Sequence, residues 1–346
     1  MTPDEQRREW FRSGAEAIEF TLPAAVREGH DGPTYICPLC WRLFDETALD
    51  SPPELTIEHV PPSSLGGSGL VLTCRRCNND AGTQVDADAA KHRVTVEALR
   101  GEAGRVEMRI NGDVTAELEV TAEGEGRIFV SEQRSNPSTR EALMAQLPPV
   151  ASDGSTTIDS ALRNSLEITF RPGYDPGSAK LSYLRSAYLA LFALYGYRAL
   201  LSSALAPLRE VLRDLDSARL PAFPVLRTQN GRTGQIWAAV HEELGGVLVF
   251  CFGDQAVALP DPLRADESWW TRLSTTEPGS RFKLEALVTW PIGPQHLLDL
   301  RVPAESSHSM TSCRRIPFLL DRLCRAIRRW VPRSSKRQSS DAANRP

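Results

Sequence analysis

The chain has 346 residues, 41% of them hydrophobic and 24% charged, and a formal net charge of −4. This is enough apolar material for two modest domains, or for one large domain with an appended module; it gives no compositional case for global disorder and does not force metal dependence on the whole fold. Net charge does not mark a nucleic-acid binder, yet ten Lys or Arg and two Asp fall within residues 313–346, so that stretch carries +8 and the preceding 312 residues −12.

The first twenty residues mix acids and bases without the unbroken apolar run of a signal peptide. The longest nearly apolar run, 187–197, is too short to span a bilayer and reads as a core helix. A cytoplasmic protein with no membrane segment is expected. Of seven cysteines, four form two Cys-x-x-Cys pairs, Cys37/Cys40 and Cys74/Cys77, which fits a reducing compartment and metal ligation better than disulfides. Cys251, Cys313 and Cys324 are scattered and read as small buried hydrophobes.

In chain order, Trp10, Phe11, Ala17, Ile18 and Leu22 recur at rough helical spacing, which predicts a leading helix within 4–25 that ends near Pro23. A turn-rich step at 29–33 leads into the cysteine segment. Two tight turns presenting four thiolates suit tetrahedral Zn²⁺; the alternative, four core cysteines, must produce the doubled spacing by chance. The 33 residues between Cys40 and Cys74 are more than a compact zinc ribbon needs, so something is inserted. The insertion reads as a strand at 55–60, a Pro, Ser and Gly loop at 61–69 and a strand at 70–73. From Cys74 onward a helix is expected, with an interruption at Gly82. The result is a ββα unit pinned by one zinc.

Past residue 92 the pattern changes to period two. Val106, Met108 and Ile110, then Val114, Ala116, Leu118 and Val120, flank Asn111-Gly112 and predict a hairpin, which a strand at 127–130 joins. The stretch 132–160, with Pro137, Pro148 and Pro149, reads as a linker. Next come a strand at 166–170 and one long helix over 178–206, carrying Leu181, Tyr188, Leu191, Phe192, Tyr195 and Leu201 as a core stripe. Pro207 kinks that helix or separates it from a further turn at 208–215. Strands are expected at 235–240, 247–252, 282–290 and 297–302. Residues 316–331 are expected to form an amphipathic basic helix, with Ile316, Leu319, Leu320, Leu323, Ile327 and Trp330 mostly opposite Arg322, Arg325, Arg328 and Arg329.

The fold class expected is α+β: an N-terminal helix (1–33), a small zinc module (34–95), a β-hairpin extension (96–131), the linker (132–160), a larger α+β domain without a chemical motif (161–312) and the basic end (313–346).

Glu58-His59 followed by Val60-Pro61-Pro62, Leu65-Gly66-Gly67 in the loop, and Cys74-x-x-Cys77-Asn78 leading to Gly82 and Asp86 together resemble the HNH (His-Asn-His) endonucleases of the ββα-metal class, in the variety with two zinc-binding Cys pairs. The resemblance covers about residues 35–92. It implies a treble-clef-like module that hydrolyses phosphodiester bonds in DNA, or RNA, leaving 5′ phosphate and 3′ hydroxyl. Such hydrolysis needs a base to activate water and a cation at the scissile phosphate. The resemblance makes His59 the base, since neutral imidazole accepts a proton at cytosolic pH. Glu58 and Asn78, with Asn79 as the fallback for Asn78, become oxygen ligands to one Mg²⁺ or other divalent cation. Cys37, Cys40, Cys74 and Cys77 become ligands of a structural Zn²⁺.

Glu58 and His59 are strand neighbours that face opposite ways, so both serve only where the strand ends or twists, which Pro61-Pro62 favours. Asp86 is expected to cap or brace the helix. Gly69 stands where many relatives carry Asn, and residues 79–82 offer no His or Lys where many carry one. The plainer readings are a structural His59 and a turn-capping Asn78. The rival function is a catalytically inactive zinc module that binds nucleic acid or protein. Expected partners are DNA or RNA and, through the C-terminal half, a protein; restriction, phage defence and mobile DNA are the roles such an architecture suggests.

The basic end admits docking on its own domain, contact with nucleic-acid phosphates, or an interfacial membrane position. Deleting residues 333–346 and measuring DNA affinity against salt tests the phosphate reading: the slope of log affinity on log salt becomes shallower if the tail contacts phosphates and stays unchanged if it does not.

Overall fold

The computed structural model describes residues 1–21, 32–100, 102, 104–111, 114–120, 126–131, 133–146, 168–170, 173–215, 225–227, 233–276, 282–291, 293 and 294. The expected basic helix at 316–331, the strand at 297–302 and residues Cys313 and Cys324 lie outside them. Among the described residues no helix is long and apolar enough to cross a membrane.

Helix α1 (Pro3–Thr21) opens with a capping box: the Glu5 amide donates to Thr2 Oγ1 at 3.3 Å, and the Glu5 carboxylate accepts from the Thr2 amide at 2.7 Å. Its expected apolar positions Trp10, Phe11, Ala17 and Ile18 are buried. Strands β1 (Tyr35–Ile36) and β2 (Leu43–Phe44) pair antiparallel on either side of the first cysteine turn. Next come β3 (Leu55–Val60), a 3-10 turn at Ser63–Leu65 and β4 (Ser68–Cys74), which pairs with β3. Helix α2 (Arg75–Ala81) continues through a π-helical turn, Gly82–Asp86, into α3 (Ala87–Leu99). The interruption expected at Gly82 is thus a widened turn inside a continuous helix, and the ββα order is present.

The hairpin is formed by β5 (Gly104–Ile110) and β6 (Val114–Val120), with Ile110 opposite Val114 and Asn111 at φ 50, a backbone region that Asn tolerates. Strand β7 (Gly126–Val130) pairs with β6. Within the 132–160 stretch the chain forms helix α4 (Pro137–Gln146), and β8 (Ile168–Phe170) follows. The single long helix expected over 178–206 is instead two, α5 (Pro176–Tyr195) and α6 (Tyr197–Leu201), ending in a 3-10 turn at Ser203–Leu205, and the further turn expected at 208–215 is helix α7 (Ala206–Arg213). Gly196, at φ 55 and ψ −140, ends α5 in a conformation side chains disfavour. Pro207 lies in the first turn of α7, where its missing N–H is no loss. The remaining elements are β9 (Val225–Arg227), β10 (Gln235–His241), β11 (Gly245–Phe252), β12 (Gln255–Pro260), α8 (Trp269–Thr275) and β13 (Lys283–Val288).

The chain divides into two units: Met1–Val60, Gly69–Asn78 and Ala187–Pro346 form the first, Pro61–Ser68 and Asn79–Ser186 the second. In the second unit a four-stranded antiparallel sheet of order β7-β6-β5-β8 buries Met108, Ile110, Val114 and Ala116 with Leu143 of α4. Val106 and Val120 of the same sheet pack with Ala98 of α3. On the polar face Arg105 meets Glu119 at 2.6 Å. In this unit the loop after β3 turns so tightly that a Cβ on Gly67 would fall 1.5 Å from the Pro61 carbonyl oxygen.

The first unit holds a five-stranded antiparallel sheet of order β13-β10-β11-β12-β9, whose β12 is buried along its whole length. Residues 187–193 of α5 are buried on every side, so Tyr188, Leu191 and Phe192 of the expected stripe are core, whereas Tyr195 and Leu201 are half-buried. In this unit the tyrosines answer backbone groups of the cysteine module. Tyr35 Oη donates to Leu72 O at 2.9 Å, and Tyr188 Oη to Pro38 O at 3.1 Å. Tyr197 Oη accepts from Ile36 N at 3.2 Å and lies 3.3 Å from Ile36 O, to which it donates. Burial pushes all three phenols above their ordinary range, so they stay protonated donors. Tyr197→Phe should strip both Ile36 backbone groups of a partner at a site with no water access and lower stability by about 2 kcal/mol, read as a shifted urea midpoint with unchanged slope.

Candidate functional site

The four expected zinc ligands come together: one Sγ from each of Cys37, Cys40, Cys74 and Cys77 lies within 4.8 Å of every other. Cys40 and Cys74 are 3.6 Å apart at sulfur. A tetrahedron with Zn–S near 2.3 Å has edges of about 3.8 Å, so the cluster can hold a zinc ion. The first turn is closed by Trp41 N on Cys37 O at 2.9 Å and by Cys37 N on Arg42 O at 3.0 Å. The second is the step from β4, which ends at Cys74, into the first turn of α2, which carries Cys77. Burial pushes the Cys37 thiol up, whereas hydrogen bonds from Cys37, Cys40 and Cys77 hold Cys74 below its ordinary range, toward the thiolate that a metal binds.

One residue after the first pair, Trp41 takes φ 64, a left-handed conformation that costs a bulky side chain. The Arg209 guanidinium lies 5.3 Å from the centre of its ring, and Arg209 itself is buried, donating to Ser202 O at 2.7 Å. Sequence reasoning missed this brace, which comes from α7.

The strand pair between the knuckles carries Glu58, His59 and, just beyond it, Asn78. Strand β3 runs one residue past His59, and the alternation expected of neighbours is observed: Glu58 is 3% exposed, whereas His59 is exposed. Thr73 Oγ1, on β4, donates to Glu58 Oε2 at 2.9 Å. Asn78 Nδ2 donates to Thr56 Oγ1 at 3.0 Å and to Ile57 O at 3.5 Å. A carbonyl only accepts, so these bonds identify the amide nitrogen and turn Asn78 Oδ1 away from β3. Glu58 and Asn78 are thereby attached to the same strand pair, and His59 stands outside that network. Thr56 and Thr73 were not singled out in the sequence; the Thr-x-Glu alternation, which puts Thr56 and Glu58 on one face, was the available signal.

Asn79 is exposed, and its carbonyl accepts from Thr83 Oγ1 at 3.1 Å. Asp86 braces, as expected: its Oδ1 accepts from Ser182 Oγ at 2.6 Å and its Oδ2 lies 3.7 Å from Arg185 Nη1. Gly69 also has a local reason, since a Cβ there would meet Ile57 Cγ2 at 2.5 Å.

Residues 37–94 match the family model of HNH endonucleases. The matched segment includes all four cysteines, Glu58, His59, Asn78 and His92, and stops before the hairpin. No curated protein and no solved structure matches the chain. At the level of the family, residues 37–94 are thus similar to a nuclease-type hydrolase domain.

Because a structural zinc contributes about 10 kcal/mol or more to folding such modules, Cys37→Ala or Cys74→Ala should unfold the HNH segment rather than tune it. Zinc content by elemental analysis should fall and the melting temperature should drop; normal values for both would exclude the four-cysteine site.

Proposed function

We propose that this protein is a metal-dependent endonuclease that hydrolyses phosphodiester bonds in DNA, with the longer α+β part of the chain engaging substrate or a partner. The observation that carries this reading is that, inside the matched segment, Glu58 and Asn78 are hydrogen-bonded to one strand pair, and that His59 is the exposed next residue of β3, one position before that strand ends. In this reading the His59 imidazole takes a proton from the attacking water, a task its exposure on β3 permits. Glu58 and Asn78 Oδ1 are the oxygen donors that would hold one Mg²⁺ or similar cation, whose hard-ligand preference they meet. When bound, the cation supplies neutralisation of charge at the scissile phosphate and the departing 3′ oxygen. The same reading has the protein act in the cytoplasm, where its cysteines stay reduced.

Purified protein and His59→Ala should be incubated with supercoiled plasmid plus Mg²⁺, Mn²⁺ or chelator. Wild type should nick in a divalent-cation-dependent way, and His59→Ala should lose about 10²-fold or more of the rate. Equal inactivity of both on DNA and RNA, with zinc still bound, would instead make this a non-catalytic zinc module.

A further inference from the structure

Four side chains and one carbonyl form a chain of hydrogen bonds whose direction can be read atom by atom. Thr56 Oγ1 donates its single proton to Thr73 O at 3.4 Å, so its lone pairs face the Asn78 amide, which donates to it at 3.0 Å. Thr73 is 0% exposed, and its own hydroxyl proton goes to Glu58 Oε2 at 2.9 Å. Thr73 is therefore the junction of the arrangement. Its side chain fixes the Glu58 carboxylate, and its carbonyl fixes the Thr56 hydroxyl that in turn orients the Asn78 amide. Adjacent to it in sequence is Cys74, which belongs to the thiol cluster.

We propose that Thr73, acting with Thr56, is the positioning residue that presents Glu58 and Asn78 as one preorganised pair of oxygen ligands, an inference that rests on the endonuclease reading. Carboxylate and amide ligands need neighbours that hold their rotamers, and loss of such a neighbour typically weakens metal binding by about 10- to 100-fold. A hydroxyl donor suits a carboxylate ligand because it restrains one oxygen without adding a positive charge to compete with the cation. The Asn78 side chain gains more, because a free amide is as ready to present its nitrogen as its oxygen; two acceptors on β3 remove that choice.

The test is Mn²⁺ binding to the full-length, zinc-loaded protein, followed by the loss of the free-ion signal in electron paramagnetic resonance. Thr73→Val keeps the shape and removes only the hydroxyl; it should weaken Mn²⁺ binding about tenfold while zinc content and melting temperature stay at wild-type values, and Thr73→Ser should restore binding. The proposal is overturned if Thr73→Val binds Mn²⁺ like wild type while Glu58→Gln does not. If wild type binds no Mn²⁺, or Glu58→Gln binds it equally well, the ligand assignment itself fails and this proposal fails with it. Should Thr73→Val lose zinc, Thr56→Val reads the same arrangement from the Asn78 side: weakened Mn²⁺ binding supports it and unchanged binding refutes it.

Discussion

Four sulfur atoms within 4.8 Å of one another, drawn from two turns with 33 residues between them, constrain everything that lies between. Bringing those turns together closes a loop, and the strand pair β3 and β4 is what fills it. Because Cys74 is the last residue of β4, the cluster also fixes where that strand ends and where α2 begins. Thr73 and Asn78 are one residue from a thiol ligand on either side of this step, so the geometry around Glu58 inherits its precision from the cluster without touching it.

So small a module buries little on its own account. The carbonyls and amides of its first turn are answered by hydroxyls far along the chain: Pro38 O by Tyr188, 150 residues later, and Ile36 by Tyr197, 161 residues later. These phenols are buried and remain protonated, so each is a fixed donor rather than a titrating one. The knuckle is thus held by zinc chemistry at its sulfurs and by ordinary core packing at its backbone, and the second depends on the C-terminal part of the same unit.

The features legible in the sequence share a property: each is set by nearest neighbours. Doubled Cys-x-x-Cys spacing, the Asn-Gly hairpin and the short β-rich runs around the Pro and Gly loop all encode local geometry, and all are present. The break at Gly196 was not legible, because apolar helical periodicity runs straight through it and an isolated Gly is tolerated in a helix. Strand β12 escaped for the opposite reason: buried on both faces, it lacks the alternation that betrays a half-buried strand. Around the candidate site, Glu58, His59 and Asn78 stand out by residue type, whereas Thr56 and Thr73 look like any β-branched residue in a strand. Their significance lies in hydrogen bonds made across the strand pair, which no single stretch of sequence encodes.

Trp41 occupies a backbone position where glycine would be the unstrained choice, yet it is stacked under a guanidinium that α7 has carried into the interior. A glycine at 41 would relax the turn and leave the Arg209 charge facing a void; a small residue at 209 would leave the indole strained with nothing across its face. Neither position can drift independently. In the history of this chain the two should change in concert, so that a knuckle turn and a helix more than 160 residues away constitute one unit of inheritance.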